Sequence, residues 1–269
     1  MSSAPAQFVG DIPRFYDRHL GPIIFQDYAA DLARRAAAIS AGDVLEIAAG
    51  TGISTVALRA ALPAQTRLVV TDLNQPMLDI GKAKLPDAAN TEFRLADAMA
   101  LPFADASFDL AVIQFGVMFF PDKAAAFREV ARVLRPGGAL LFNVWGTMAA
   151  NPFAEIGNAL GARFLPANPP KFYQTPFGYH DGARVRADLT AGGFGAIGQE
   201  SVRLDKMVAD WAHFSQGVIY GNPMIAELQG AGVNPETVRE AVVDELRARF
   251  GPSPATMPLE AIMFSARKA

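Results

Sequence analysis

The sequence contains no cysteine. This excludes disulfide bonds, cysteine-ligated zinc or iron–sulfur sites and thiol nucleophiles, and it is compatible with a reducing cytoplasm. A basic surplus is also lacking, because 24 lysines and arginines stand against 27 aspartates and glutamates, for a net charge of −3. Proteins that neutralise many phosphates normally carry such a surplus, so we expect no nucleic-acid partner.

Long apolar runs are missing as well. The most apolar windows, Leu110–Pro121 and Ala139–Trp145, are shorter than the roughly 18–20 residues that cross a bilayer. Residues 1–20 lack the basic-then-apolar pattern of a secretion signal. We therefore expect a cytoplasmic protein with no membrane span. The three histidines and the carboxylates show no metal-ligand spacing, which disfavours a metal site.

What is present is a regular alternation in the middle of the chain. Short apolar runs predict strands, and segments with apolar residues three or four apart predict helices. Strands that alternate with helices favour parallel pairing in a doubly wound α/β sheet, whose ligands bind beyond the carboxyl ends of the strands. The predicted strands are Val44–Ala48, Arg67–Thr71, Glu92–Ala96, Phe108–Phe115 and Ala139–Trp145, and the predicted helices are Ile53–Leu62, Gln75–Lys84 and a segment capped by Asp122.

The alternation weakens after Gly146. The last two predicted strands are separated by a long helical excursion, so we expect them to be antiparallel at the edge of the sheet. The predicted elements are an irregular loop or lid over Asn151–His180, a helix over Asp181–Ala191, a strand near Ala196–Leu204, a mostly helical insertion over Ala209–Phe250 and a final strand over Leu259–Ala266.

Polar residues at the strand ends indicate a nucleotide site. Gly50 and Gly52 follow the first strand and let the backbone approach a ligand closely. Asp72 follows about 20 residues later, the spacing at which an acid binds ribose hydroxyls. Glu46 is unfavourable beside a pyrophosphate, and G-x-G-x-x-G is not completed. An adenosine ligand without a pyrophosphate therefore fits these residues better than NAD does. An NAD-dependent oxidoreductase is the alternative interpretation.

Five motifs follow one another between residues 44 and 145: VLEIAAGTG, VVTDLNQPML, RLADAMALPF, SFDLAVIQFGVMFFPD and REVARVLRPGGALLFNVW. In this order they resemble class I S-adenosylmethionine-dependent methyltransferases, particularly the ubiquinone and menaquinone C-methyltransferase branch. The resemblance implies a Rossmann-like, seven-stranded, mostly parallel sheet with an N-terminal lid helix and a helical insertion before the last strand. It also implies S-adenosylmethionine as cofactor, S-adenosylhomocysteine as product and a small-molecule acceptor.

The resemblance further implies a cofactor-binding set at the strand ends. The glycine-rich turn would hold the methionine and ribose part, Asp72 the ribose hydroxyls and Asp97 the adenine edge. Ala48 stands where the family commonly has the first glycine of this turn. The implied residues are Tyr16, Glu46, Ala48, Gly50, Thr51, Gly52, Asp72, Leu73, Met77, Asp97, Ala98, Gln114 and Phe115.

On this interpretation the chain is a single methyltransferase domain over residues 1–269. Residues 1–40 would form the lid and its helices, 41–147 the cofactor-binding core and 148–269 the acceptor-binding part. His180 is the first candidate general base and His19 the second. A non-catalytic cofactor-binding protein is a further alternative. The acceptor, the methylated atom and the oligomeric state are left open. Aromatic residues predict either an apolar acceptor chamber or anchors of irregular segments: Phe164, Phe172, Tyr173, Phe177, Tyr179, Trp211, Phe214 and Tyr220.

Overall fold

Seven strands form one sheet in the computed structural model, which describes residues 8–269. The strand order is β3-β2-β1-β4-β5-β7-β6. Strands β1 to β5 pair in parallel, and β7 is antiparallel to both β5 and β6, so the predicted fold and its antiparallel edge are confirmed. The strands are β1 (Asp43–Glu46), β2 (Arg67–Asp72), β3 (Thr91–Leu95), β4 (Phe108–Gln114), β5 (Leu134–Trp145), β6 (Phe194–Val208) and β7 (Ala255–Lys268).

Some of the helices begin at a side chain that caps them. Asp122, Asp181 and Asp210 each accept a hydrogen bond from a backbone N–H of the following turn, which satisfies a donor that the helix itself leaves free. The helices are α1 (Ile12–Phe15), a π-helix (Tyr16–Phe25), α2 (Gln26–Ala37), α3 (Ile53–Ala61), α4 (Gln75–Lys84), α5 (Lys123–Val133), α6 (Pro152–Phe164), α7 (Gly182–Ala191), α8 (Trp211–Tyr220), α9 (Met224–Gly230) and α10 (Pro235–Phe250), with 3-10 turns at Val117–Phe119 and Phe172–Gln174.

Helices cover both faces of the parallel strands. Successive strand residues point to opposite faces, so Val44 and Leu45 are both fully buried but lie in different apolar clusters. A strand buried on both faces reads as a continuous apolar run rather than an alternating one. This is why the short runs of the middle of the chain were good predictors of its strands.

The prediction was wrong for the first part of Asn151–His180, where helix α6 forms. Pro152 occupies the first turn, where a proline is tolerated because its missing N–H would have no partner there. Phe153, Ile156 and Leu160 then place apolar side chains on one buried face. Apart from Pro152, the prolines of this segment all lie after residue 164, beyond the end of the helix, and so they do not interrupt it.

The last two strands, β6 at the edge of the sheet and β7 beside it, are longer than predicted. β6 and β7 pair with one another from Phe194 to Val208, and this pairing extends them beyond the segments that the apolar pattern marks. In the described part of the chain, no helix has both the length and the apolar character that crossing a membrane requires.

Candidate functional site

A cavity of about 850 Å³ lies at the carboxyl ends of the parallel strands. The sheet order reverses between β1 and β4, which is where ligands of doubly wound sheets bind. The volume is in the upper part of the range found for ligand pockets, about 300–1,000 Å³. The π-helix covers the cavity with Tyr16, Leu20 and Ile24, as expected for an N-terminal lid.

The glycine-rich turn contributes to the cavity wall through Ala48, Gly50 and Thr51. Gly50 has a φ of 57°, in the left-handed region that glycine adopts without strain. Gly52 also has a positive φ but does not line the cavity. A Cβ at Gly52 would lie 2.7 Å from the Cα of Gly81, so this glycine permits the close packing of α3 on α4.

Ala48 adopts a φ of 55°, which is strained for a residue with a side chain. Its methyl group is accommodated by Gly116, which follows β4. A Cβ at Gly116 would lie 2.6 Å from the Cβ of Ala48 and 2.9 Å from Cγ2 of Ile113. The departure from the usual glycine at position 48 is thus accommodated by a glycine on the neighbouring strand end.

Asp72 is fixed at the end of β2 by backbone donors. Its Oδ2 accepts a hydrogen bond from the N–H of Gly50 at 2.8 Å, and its Oδ1 accepts one from the N–H of Asn74 at 2.7 Å. The side chain is buried, which raises the pKa of the carboxyl, and it lines the cavity. Leu73 and Met77 line the cavity beside it.

Asp97 and Ala98 line the cavity next to the end of β3. Oδ1 of Asp97 accepts a hydrogen bond from the N–H of Met99 at 2.8 Å, which forms an Asx turn. This carboxylate therefore has a turn-forming oxygen and a second oxygen that accepts no hydrogen bond from residues 8–269. The turn and a ligand contact are compatible.

Glu46 lies below the cavity rather than in its wall. Its Oε1 accepts a hydrogen bond from Oγ of Ser54 at 2.5 Å, and its Oε2 is buried without a partner among the described residues. Complete burial raises the pKa of Glu46 to about 7, against the opposing effect of the Ser54 hydrogen bond. Glu46 thus connects β1 with α3 and is not placed to touch a ligand directly.

Two residues of the cavity wall also hold a buried side-chain oxygen without a partner in the described chain. They are Thr51, through Oγ1, and Gln114, through Oε1. Unsatisfied buried polar atoms are costly, and a ligand would satisfy these two only after the side chains turned toward the cavity, because both atoms are inaccessible in this geometry. Phe115, next to Gln114, also lines the cavity and stacks on Trp145 with ring centroids 4.0 Å apart.

The far side of the cavity is aromatic. Of the aromatic residues expected there, Phe172, Tyr173 and Phe177 line it. Trp145 and Phe153 also line the cavity. Neither was among the aromatic residues predicted for the chamber, although Trp145 ends a predicted strand. The remaining predicted residues lie outside the wall, since they pack in the core or against it: Phe164, Tyr179, Trp211, Phe214 and Tyr220.

His180 is exposed and does not line the cavity. Its Nδ1 forms a 2.8 Å hydrogen bond with the carbonyl oxygen of Phe177. His180 therefore contacts the backbone of the wall residue Phe177 but does not itself face the cavity, so the structure does not support its interpretation as a general base. Within residues 8–269 no cluster of three or more histidine, aspartate or glutamate side chains is arranged to hold a metal ion.

Solved structures with this fold define the class. YcgJ from Bacillus subtilis is 22% identical with a TM-score of 0.57, and the match covers 90% of this chain and 98% of that one. Phosphoethanolamine N-methyltransferase 2 from Haemonchus contortus, solved with S-adenosylhomocysteine, is 15% identical with a TM-score of 0.62, covering 97% and 59%. The fold is that of the Rossmann-like, class I methyltransferases, as the motifs predict.

Residues 24–160 match the ubiE/COQ5 methyltransferase family, and the chain belongs to this family. A relative from Marinomonas sp., the ubiquinone/menaquinone biosynthesis C-methyltransferase UbiE, is 35% identical over 127 residues, 46% of this chain and 51% of the relative. The chain thus spans about half the length of the curated relatives it matches. The resemblance to class I S-adenosylmethionine-dependent methyltransferases is confirmed, and the matches do not favour an NAD-dependent oxidoreductase.

S-adenosylmethionine is the cofactor of this class, and the cavity suits it. The carboxylate of Asp72 and the glycine turn in the cavity wall are both compatible with a polar, cationic nucleoside ligand.

Proposed function

We propose that this chain transfers a methyl group from S-adenosylmethionine to a small apolar or aromatic acceptor. The observation that carries this proposal is that one cavity joins two chemically different walls. One wall presents Asp72 and Asp97 at the strand ends, and the other presents Phe172 and Phe177. A polar cofactor and an apolar acceptor would meet between them.

In this proposal Asp72 binds the ribose hydroxyls, while Leu73 and Met77 flank the adenine. Asp97 and the N–H of Ala98 bind the adenine edge. The turn residues hold the methionine part, with Tyr16 above it, and Gln114 and Phe115 lie toward the reacting methyl group. Glu46 and Gly52 act indirectly, since they fix the turn from outside the cavity. The turn residues meant here are Ala48, Gly50 and Thr51.

When bound, the sulfonium cofactor supplies a methyl group already activated for displacement. The chain's residues then align the acceptor and exclude water, contributions that reach roughly 7–11 kcal/mol in well-oriented intramolecular reactions. The lid residues Leu20 and Ile24 and the stacked rings of Phe115 and Trp145 supply the apolar enclosure.

The acceptor side offers few groups for proton removal. No histidine occurs among the described residues of the cavity wall. Lys123 donates hydrogen bonds to the carbonyl oxygens of Met118 and Phe120 at 3.1 and 2.8 Å, so its ammonium group is engaged with the backbone. Glu227 also lines the cavity, and burial raises the pKa of its carboxyl, so it is the candidate base for an acceptor that must lose a proton, whereas a neutral amine needs none.

The relatives are named as C-methyltransferases of ubiquinone and menaquinone biosynthesis. The family match ends at residue 160, before Phe172, Tyr173 and Phe177. The family therefore supports the cofactor half of the proposal more strongly than the acceptor half. C-, O- and N-methylation are outcomes for experiment to separate.

Isothermal titration of the purified chain with S-adenosylhomocysteine and with NADH tests the cofactor. We expect binding of S-adenosylhomocysteine and none of NADH, and the reverse result would overturn the proposal. A screen of quinones, phenols, amines and lipids, with formation of S-adenosylhomocysteine as the readout, then tests transfer. Cofactor binding without turnover of any acceptor would favour a non-catalytic binding protein.

A further inference from the structure

Helix α8 and the π-helix pack with unusually close backbones. A Cβ at Gly217 would lie 2.6 Å from Cγ and Cδ2 of Leu20 and 3.0 Å from Cβ of His19. Four residues on, a Cβ at Gly221 would lie 3.1 Å from the backbone nitrogen of Tyr16 and 3.2 Å from its Cα. The absence of two side chains on one face of α8 is what permits this approach.

Side chains on either side of the two glycines complete the contact. The rings of Phe15 and Tyr220 lie 5.2 Å apart, and those of His19 and His213 lie 4.2 Å apart. Nδ1 of His19 donates a 3.1 Å hydrogen bond to the carbonyl oxygen of His213. Specific contacts thus extend along the interface between α8 and the π-helix. Together they fix the position of the π-helix relative to the cavity.

The π-helix also contributes to the cofactor side of the cavity. Tyr16 lines the cavity and stacks on Phe25, with ring centroids 4.8 Å apart. Burial, and next the charge of Asp72, raise the pKa of the Tyr16 hydroxyl, so this hydroxyl senses the carboxylate assigned to the ribose. The depth of the π-helix therefore sets the distance between Tyr16 and the cofactor position.

We propose that Gly217 and Gly221 are positioning residues of the cofactor site, which seat the π-helix on α8 so that Tyr16 reaches the part of the cavity lined by Asp72. This inference rests on the proposed function, because it assigns S-adenosylmethionine to that part of the cavity. Val218 and Asn222 of the same segment line the acceptor side. Residues 217–222 of the insertion thus contribute both to the position of the π-helix over the cofactor side and to the wall of the acceptor side.

The substitution Gly217→Ala tests directly whether Gly217 positions the π-helix on α8. The added methyl group displaces Leu20 and raises the π-helix, and we expect the affinity for S-adenosylhomocysteine to fall about tenfold, as when one hydrogen bond and its packing are lost. Alanine is the better helix former, so α8 itself is not weakened. Gly230→Ala is the matched control, because a Cβ there meets nothing within 4 Å, and we expect it to bind like the unmodified chain.

A double-mutant cycle with Tyr16 distinguishes the positioning role of Gly217 from a purely structural role. If Gly217 acts through Tyr16, then Tyr16→Ala and Gly217→Ala each weaken binding about tenfold and the double variant is no weaker, whereas independent effects multiply to about a hundredfold. Amide hydrogen exchange gives a second readout. We expect S-adenosylhomocysteine to slow exchange over residues 16–25 in the unmodified chain and not in Gly217→Ala.

Two outcomes are distinguishable. Equal affinities of Gly217→Ala and Gly230→Ala, or multiplying effects in the double variant, would overturn the positioning role while leaving the proposed function intact. No binding of S-adenosylhomocysteine by the unmodified chain would instead refute the cofactor assignment on which both proposals rest.

Discussion

The two sides of the cavity are built in different ways. The cofactor side consists of strand ends, where Asp72 is the last residue of the buried strand β2 and Asp97 lies two residues after the end of β3. The acceptor side consists of helices and loops that meet from distant parts of the chain, such as Phe153 and Phe177 from the β5–β6 connection and Val218 from α8. The first side is encoded locally, whereas the second depends on tertiary packing.

This difference teaches where function is fixed and where it can change. A residue at a strand end in a doubly wound sheet is placed by the sheet itself, which tolerates little movement. A residue on a long connection is placed by its neighbours, and connections vary more readily than the elements they join. Substitutions on the cofactor side should therefore affect cofactor binding strongly, and those of aromatic residues in the acceptor wall hardly at all, whereas Gly217 and Gly221 of the α8 segment act on the cofactor side through the π-helix.

The largest effect is expected for Asp72→Ala. This substitution removes the carboxylate proposed to bind both ribose hydroxyls, and it also frees the N–H groups of Gly50 and Asn74. We expect the affinity for S-adenosylhomocysteine to fall below detection by calorimetry, at least about 100-fold. Near-normal affinity in a variant with normal circular dichroism would remove Asp72 from the site.

The next prediction concerns the pH dependence of stability, compared between the unmodified chain and Glu46→Gln. The pKa of Glu46 is raised to about 7 in the folded chain, so the proton is bound more tightly there than in the unfolded chain. The stabilisation from this proton is present at pH 4.5 and lost as the pH rises through 7. Between pH 4.5 and 8 the unmodified chain should lose about 3 kcal/mol of unfolding free energy relative to Glu46→Gln.

Urea denaturation of both proteins at the two pH values measures this difference. Burial raises the pKa of Asp72 as well, but Asp72 is present in both proteins and its contribution largely cancels in the comparison. Parallel pH dependences of the two proteins would show that folding does not raise the pKa of the Glu46 carboxyl.

Asp97→Ala should weaken binding of S-adenosylhomocysteine by about 1–3 kcal/mol, the usual cost of a stranded hydrogen-bond partner. Asp97→Asn is the matched variant, because its side-chain oxygen still accepts from the N–H of Met99 and preserves the Asx turn. If both variants bind like the unmodified chain, Asp97 is a turn residue and not a ligand contact.

Ala48→Gly should stabilise the chain by about 1 kcal/mol, because glycine takes the left-handed conformation without strain. Thermal unfolding measures the gain. Gly116→Ala should destabilise the unmodified chain, and less so in the Ala48→Gly background, where the 2.6 Å clash with the Ala48 methyl group is removed. An equal penalty in both backgrounds would show that the two positions do not interact.

The smallest effects on cofactor binding are expected from the acceptor side. Phe172→Ala removes an aromatic residue of the wall, and His180→Ala changes an exposed side chain outside it. We expect both variants to bind S-adenosylhomocysteine within about twofold of the unmodified chain, since neither touches the cofactor side. A large loss in Phe172→Ala would contradict the division between the two sides.

The same division explains what could be predicted from the sequence. Asp72, Asp97, Gly50 and their neighbours lie in the wall where local patterns placed them. Gly52 and Glu46 were recognised as part of the motif, but their packing against Gly81 and Ser54 depends on residues that no local pattern connects. The site assignments themselves stay predictions until a ligand is bound.

The acceptor wall was predicted less well because aromatic residues serve two purposes. Phe177 faces the cavity, but Trp211 and Phe214 of the same predicted set are buried in the core. Composition does not separate these roles, since both favour apolar surroundings. The close contact of Gly217 with Leu20 spans almost 200 residues and was likewise invisible in the sequence.

The reversed direction of β7 has a topological consequence. Because β6 runs parallel to β5 and β7 runs against both, β6 ends and β7 begins at the ligand-binding edge of the sheet. Helices α8, α9 and α10 therefore leave and rejoin the sheet on the same side, without a crossover. Chain added or removed between Val208 and Ala255 would resize the roof of the acceptor chamber while every strand kept its register.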